Sequence, residues 1–147
     1  MTISLPIYVV ELESDSYHLM IDLEFSEGLK GSLIIDTGAS KTVFDANFVE
    51  SIVTNLEEVE DQDSSGINAM ILQTKVGTIP MVKFGELEVV NQPWVLLDLF
   101  HVNKVYKKRI DKQIVGLLGS DFMVDYNAII DYGQLTLTLD YTSINKS

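Results

Sequence analysis

The chain has 147 residues, 46% of them hydrophobic, with a formal net charge of −12 and no cysteine. That length fits one domain and that hydrophobic content argues against disorder over most of it. The missing cysteines exclude disulfides, zinc–thiolate sites and cysteine nucleophiles, and the negative charge argues against nucleic acid and anionic membrane as partners.

Short apolar or alternating runs broken by turn residues predict an all-β fold, with no linker and no repeat of fixed period. Ile3–Leu12 is the first strand candidate, and Pro6 puts it at a sheet edge. This N-terminal run lacks a basic flank and meets Glu11 and Glu13 at once, unlike a signal peptide. No stretch approaches the ~20 apolar residues of a membrane span, so the expectation is a soluble, cytoplasmic protein. Tyr17–Phe25 alternates, with Leu19, Ile21, Leu23 and Phe25 on one face. After a turn at Glu27-Gly28, Gly31–Ile35 forms a strand that ends at Asp36, and Lys41–Phe44 forms another. Asp45 caps a helix expected from Ala46 to about Leu56. Glu57–Asn68 is polar. Ala69–Val76, Ile79–Phe84, Leu87–Val90 and Trp94–Leu97 read as strands joined at Gly77 and Gly85. Phe100–Lys112 is mixed and partly helical. Ile114–Leu118 is a buried strand, Asp121 caps a helix over Phe122–Tyr126, and Ala128–Asp131 with Leu135–Leu139 closes a hairpin around Tyr132-Gly133-Gln134.

Two charge runs stand out. Glu57, Glu58, Glu60, Asp61 and Asp63 are acidic; Lys104, Lys107, Lys108, Arg109 and Lys112 are basic. Solvated loops or helix faces account for both, and mutual docking of opposite charges is the sharper alternative.

The chemistry centres on Leu33-Ile34-Ile35-Asp36-Thr37-Gly38-Ala39-Ser40. Three aliphatic residues deliver a carboxylate into a glycine-bearing turn, where its protonation responds strongly to what sits beside it. Gly38 permits a close approach by another backbone. About 80 residues later, Ile114-Val115-Gly116-Leu117-Leu118-Gly119-Ser120-Asp121-Phe122 is an apolar strand ending in glycine at a helix start. Asp-x-Gly alone would mark only a strand-end turn; the two motifs in this order are specific. Other sites are poorly supported. His18 and His101 lack metal-ligand spacing, Ser120 lacks a nucleophile elbow, and no phosphate loop occurs. Trp94 reads as core. Ala128-Ile129-Ile130-Asp131-Tyr132-Gly133 imitates the first motif, but it lacks the threonine and runs straight into a strand, as a hairpin would.

Together the paired motifs resemble the retropepsin family of single-lobe aspartic proteases, and more closely the bacterial gag-like aspartyl protease group. The likeness runs from about Tyr17 to Leu139. It implies a closed, single-lobe retropepsin-like acid protease barrel of six or more strands, with one or two short helices. It also implies a homodimer that cleaves peptide or protein substrates without metal or cofactor. Asp36 corresponds to the catalytic carboxylate, and Thr37 to a residue that bonds across the dimer. Gly38 would lie under the substrate, with Ala39 and Ser40 completing the loop. Leu117, Leu118 and Gly119 correspond to the motif supporting that loop, and Asp121 to an acid that ties down the helix. Ser64, Ser65, Gly66, Ile67 and Asn68 would form the flap tip, although no aromatic stands there. Phe100–Gln113 is longer than in minimal viral-type enzymes. Where pepsin-like relatives carry a hydroxyl beside the catalytic acid, this chain has Ala39, as the viral-type enzymes do. That implies a working pH near about 5–6. The rival reading is a catalytically silent binding module on the same dimeric fold.

Overall fold

The computed structural model describes residues 1–59 and 74–141. In chain order the strands are β1 (Thr2–Pro6), β2 (Tyr8–Glu13), β3 (Ser16–Phe25), β4 (Lys30–Ile35), β5 (Val43–Asp45), β6 (Thr54–Val59), β7 (Thr74–Phe84), β8 (Leu87–Leu97), β9 (Ile114–Leu118), β10 (Ile129–Asp131) and β11 (Thr136–Asp140). Among the described residues three α-helices interrupt them: α1 (Ala46–Val49), α2 (Phe100–Lys107) and α3 (Ser120–Asp125). One sheet has the order β2-β3-β4-β9-β5-β8-β7-β6, and a further β3–β7 pairing closes six of its strands into a ring. The other sheet is β1-β11-β10. The expected all-β barrel with few helices is therefore present.

Two apolar clusters sandwich the strands that matter most. The larger core takes Leu19, Ile21, Leu23 and Phe25 from β3, as the alternation predicts, together with Leu33, Phe44, Val115 and Leu118. Met20, Ile34 and Ile114 point the other way, into a second cluster with Val10, Leu12 and Tyr106. Strands β4 and β9 are thus covered on both faces. That explains their nearly continuous apolar sequence, which a parallel pair buried on both sides requires.

Local expectations differ from the structure at several places. The Ile3–Leu12 run is two strands in two sheets, split at buried Ile7, whose N–H donates to the Leu135 carbonyl at 2.8 Å. The helix after Asp45 ends at Val49, and Thr54–Val59 is a strand on β7. The β-branched sequence Ile52-Val53-Thr54 favours the extended backbone there. Asp45 does cap α1, accepting from Asn47 N–H at 3.2 Å. β7 runs unbroken through Gly77, because the Val53 side chain fills the space that a β-carbon would need. β8 likewise continues through Asn91-Gln92-Pro93. α3 is capped at Gly119 rather than at Asp121, which stands in its first turn. The flap-tip residues Ser64, Ser65, Gly66, Ile67 and Asn68, and the start of the Ala69–Val76 strand, lie outside the described residues. Among the described residues no helix is long and apolar enough to cross a membrane.

Candidate active-site loop and its brace

The topology brings the two sequence motifs together. β9 lies between β4, which it joins in parallel, and β5, which it joins antiparallel. Ile34 pairs with Leu117 and Ile35 with Leu118; Val43 pairs with Leu117 from the other side. Residues 36–42, which join β4 to β5, must therefore cross the end of β9. Asp36 stands where that crossing starts. Its N–H donates to the Leu118 carbonyl at 2.9 Å, continuing the β4–β9 ladder by one residue.

Within the loop, the Gly38 N–H donates to Asp36 Oδ1 at 3.1 Å and the Ala39 N–H to the Asp36 carbonyl at 3.1 Å. The Asp36 side chain is half-buried, whereas Thr37, Gly38 and Ser40 are exposed. Among the described residues, a β-carbon on Gly38 would meet only Asp36 Oδ1, at 3.4 Å. Among the same residues the carboxylate is fixed at its base and partly exposed. That is what proton transfer to an incoming group requires.

Behind the loop is a polar brace. Thr42 is 2% exposed, and its Oγ1 donates to Asp121 Oδ1 at 2.8 Å while accepting from Gly119 N–H at 2.9 Å. The same Asp121 oxygen accepts from Thr42 N–H at 2.9 Å and Phe122 N–H at 2.8 Å. Ser120 N–H donates to the Ala39 carbonyl at 2.7 Å. A carboxylate receiving three donors makes strong, charge-assisted bonds, so loop, strand end and helix start are one unit. Gly119 is needed for the crossing, because a β-carbon would lie 2.6 Å from the Lys41 carbonyl carbon and 2.7 Å from its oxygen.

Leu118 is fully buried in the main core and Leu117 packs on the second cluster. Asp131 lies elsewhere. It ends β10 in the three-stranded sheet and accepts from Gln134 N–H at 2.9 Å, as a hairpin-turn residue. Two neighbours of the site escaped sequence reading. Thr42 had one signal, a lone hydroxyl residue beside buried Val43 and Phe44. Tyr106 had none. It comes from α2, buried in the second cluster, and its phenol is pushed above the usual 10.0 by burial first and by the Asp36 charge second. A cavity of about 720 Å³ lies across the brace, walled by Lys41, Trp94, Asp121 and Tyr126 among others. Asp36 is not among its walls, and the chemistry follows the carboxylate rather than this hollow.

A ring of strands with an acid-bearing loop crossed over β9 defines a retropepsin-like fold. Two solved structures share it. One is a retropepsin-like aspartic protease from Rickettsia conorii, with a TM-score of 0.53 and 20% identity over 96% of this chain and 94% of that one. The other is the retroviral protease-like domain of Ddi1 from Leishmania major, with a TM-score of 0.50 and 13% identity over 93% and 90%. At these identities the likeness speaks for the fold. A family model described as aspartyl protease matches residues 21–122, more than half of the chain. The chain belongs to the aspartyl protease family. No curated protein matches it.

Proposed function

We propose that the protein is an aspartic endopeptidase that works as a homodimer, with Asp36 from each of two copies forming the catalytic pair. The supporting observation is the braced loop: one carboxylate, rigid at its backbone, half-exposed at its oxygens, and flanked by exposed Thr37 and Gly38. One such acid per chain leaves room for a second copy to supply the other. Two carboxylates within hydrogen-bond reach hold one proton between them, and their titration belongs to the pair.

In this mechanism the ionised Asp36 takes a proton from a water molecule as its oxygen attacks the scissile carbonyl carbon. The protonated partner acid donates its proton to the carbonyl oxygen. Collapse of the tetrahedral adduct breaks the C–N bond. The acid that took the water's proton passes it to the departing amine, and the other recovers its own from the adduct. Thr37, Gly38, Ala39 and Ser40 shape the loop, and Leu117, Leu118, Gly119 and Asp121 hold it from behind. The reaction needs no metal or organic cofactor. The cytoplasm is the proposed place of work.

Cleavage of a diverse peptide library by the wild type and by Asp36→Asn tests this reading. The expected result is turnover that a statine-type inhibitor blocks and that falls at least about 10²-fold in the variant. Peptide binding without cleavage by the wild type would favour the silent binding module instead.

A further inference from the structure

Half of the chain's cations are gathered beside the catalytic strand. Lys104, Lys107, Lys108, Arg109 and Lys112 are five of its ten Lys and Arg residues. Lys112 is already engaged: its Nζ is 2.9 Å from both Asp22 carboxylate oxygens and 4.0 Å from the Tyr8 ring centroid. Lys104, Lys107, Lys108 and Arg109 are exposed, and among the described residues none of them forms an ion pair. Within residues 98–113 the only carboxylates are Asp98 and Asp111. Asp98, which accepts from Asn47 Nδ2 at 3.0 Å and Phe100 N–H at 2.9 Å, and exposed Asp111 offset two of these four cations.

This positive segment is fastened to the strands that build the candidate site. The Asn103 side chain clamps the start of β9, accepting from Ile114 N–H at 2.8 Å and donating to the Ile114 carbonyl at 2.6 Å. Val102, Tyr106 and Ile110 pack with Ile34 and Leu117, the paired residues just before the crossing loop. α2 is thus tied to β9 at its Ile114 end, and its apolar side shares a cluster with Ile34 and Leu117, nearer the end from which Asp36 emerges. A chain of charge −12 repels acidic peptides in general. A concentrated group of cations without an ion pair among the described residues makes the sign positive at this one place.

We propose that α2 and the turn after it form a cationic wall of the substrate cleft, and that the enzyme selects peptides carrying Asp or Glu next to the cleaved bond. The proposal rests on the peptidase reading and adds its substrate class. Taking a separation of about 10 Å, two net charges favour a substrate carboxylate about three-fold at ~0.01 M salt and about 1.5-fold at 0.15 M.

The test uses paired nonapeptides that differ only in Glu or Gln at the flanking positions. Their affinity for Asp36→Asn protein is measured by fluorescence anisotropy at low and physiological salt, and their kcat/KM with the wild type. The Glu peptide should be favoured about three-fold in both at low salt, with the preference shrinking as salt rises. Lys104→Glu/Lys107→Glu should abolish or invert the ratio, whereas Lys30→Glu/Lys83→Glu, the same change of charge elsewhere, should keep it. Equal affinity for the two peptides, or equal loss of preference in both variants, overturns the proposal. If the Glu preference appears in binding while no peptide is cleaved, the cationic wall stands and the peptidase reading fails. A shift of the Lys104→Glu/Lys107→Glu protein from dimer to monomer, with the peptide ratio intact, would instead assign these cations to subunit contact and also overturn it.

Discussion

Replacing Thr42 with valine probes the brace while keeping the side chain's shape. The hydroxyl is buried, donates to Asp121 Oδ1 at 2.8 Å and accepts from Gly119 N–H at 2.9 Å. Valine removes both bonds. A hydrogen bond to a charged group contributes about 1.5–3 kcal/mol, and a buried donor left unmade costs about 1–3 kcal/mol. These losses share one geometry and do not simply add, so Thr42→Val should cost about 2–4 kcal/mol. That is a large fraction of the 5–15 kcal/mol typical of a domain. Thr42→Ser keeps the hydroxyl and loses one methyl group, for roughly 1 kcal/mol. Urea unfolding followed by far-ultraviolet circular dichroism separates the two. With a slope of about 1–3 kcal/mol/M, the valine variant should unfold about 1–2 M below the wild type, and the serine variant well under 1 M below it. Peptide turnover at 25 °C, where both variants are still folded, should follow the same order. Equal midpoints for the two variants would refute the reasoning, since removing the buried hydroxyl would then cost no more than removing one methyl group.

The other predictions concern the same neighbourhood. Gly119→Ala should fold poorly or lose peptide turnover, because its new methyl would meet the Lys41 backbone at 2.6 Å; a variant with wild-type midpoint and turnover would mean that the crossing is looser than described. Tyr106 should form phenolate above the usual 10.0 in ultraviolet difference titration, and Asp36→Asn should remove part, not all, of that delay, since burial is its larger cause. The sign follows from the raised phenol. Tyr106 supports the fold fully below the usual 10.0, and that contribution is lost as pH climbs through the higher folded-state value. The wild-type pH profile of turnover should peak near about pH 5–6, and Ala39→Ser should move it downward, because a hydroxyl donor near the acid pair favours its charged form. An upward shift would contradict that hydrogen-bond argument.

The features that carry the candidate site were readable where chemistry and pattern coincide locally. Leu33-Ile34-Ile35 could only be a buried strand, and Asp36 at its end broke the apolar run. Leu117-Leu118-Gly119 was legible for the same reason, and the alternation of Leu19, Ile21, Leu23 and Phe25 reappears as the face packed in the main core. What was hidden depends on distant partners. Thr42 meets Asp121 across 79 positions, so no local pattern announces the brace. Tyr106 reaches the site only because Asn103 clamps α2 onto β9. Pro6 stands just before the split at Ile7, but it does not show that the two halves enter different sheets; that depends on β11, which pairs with β1 from the other end of the chain. Helix length after Asp45 was overread, since the cap was visible but the competing pairing of β6 with β7 was not.

Subunit mixing tests the central claim most directly. Wild-type protein at fixed concentration is titrated with Asp36→Asn protein, and peptide cleavage is followed after exchange has reached equilibrium. If catalysis needs one Asp36 from each of two chains, the variant should draw wild-type subunits into mixed dimers and turnover should fall toward zero as its excess grows. Turnover that stays constant at every ratio, while mixed dimers are seen by native mass spectrometry, would contradict a shared catalytic pair.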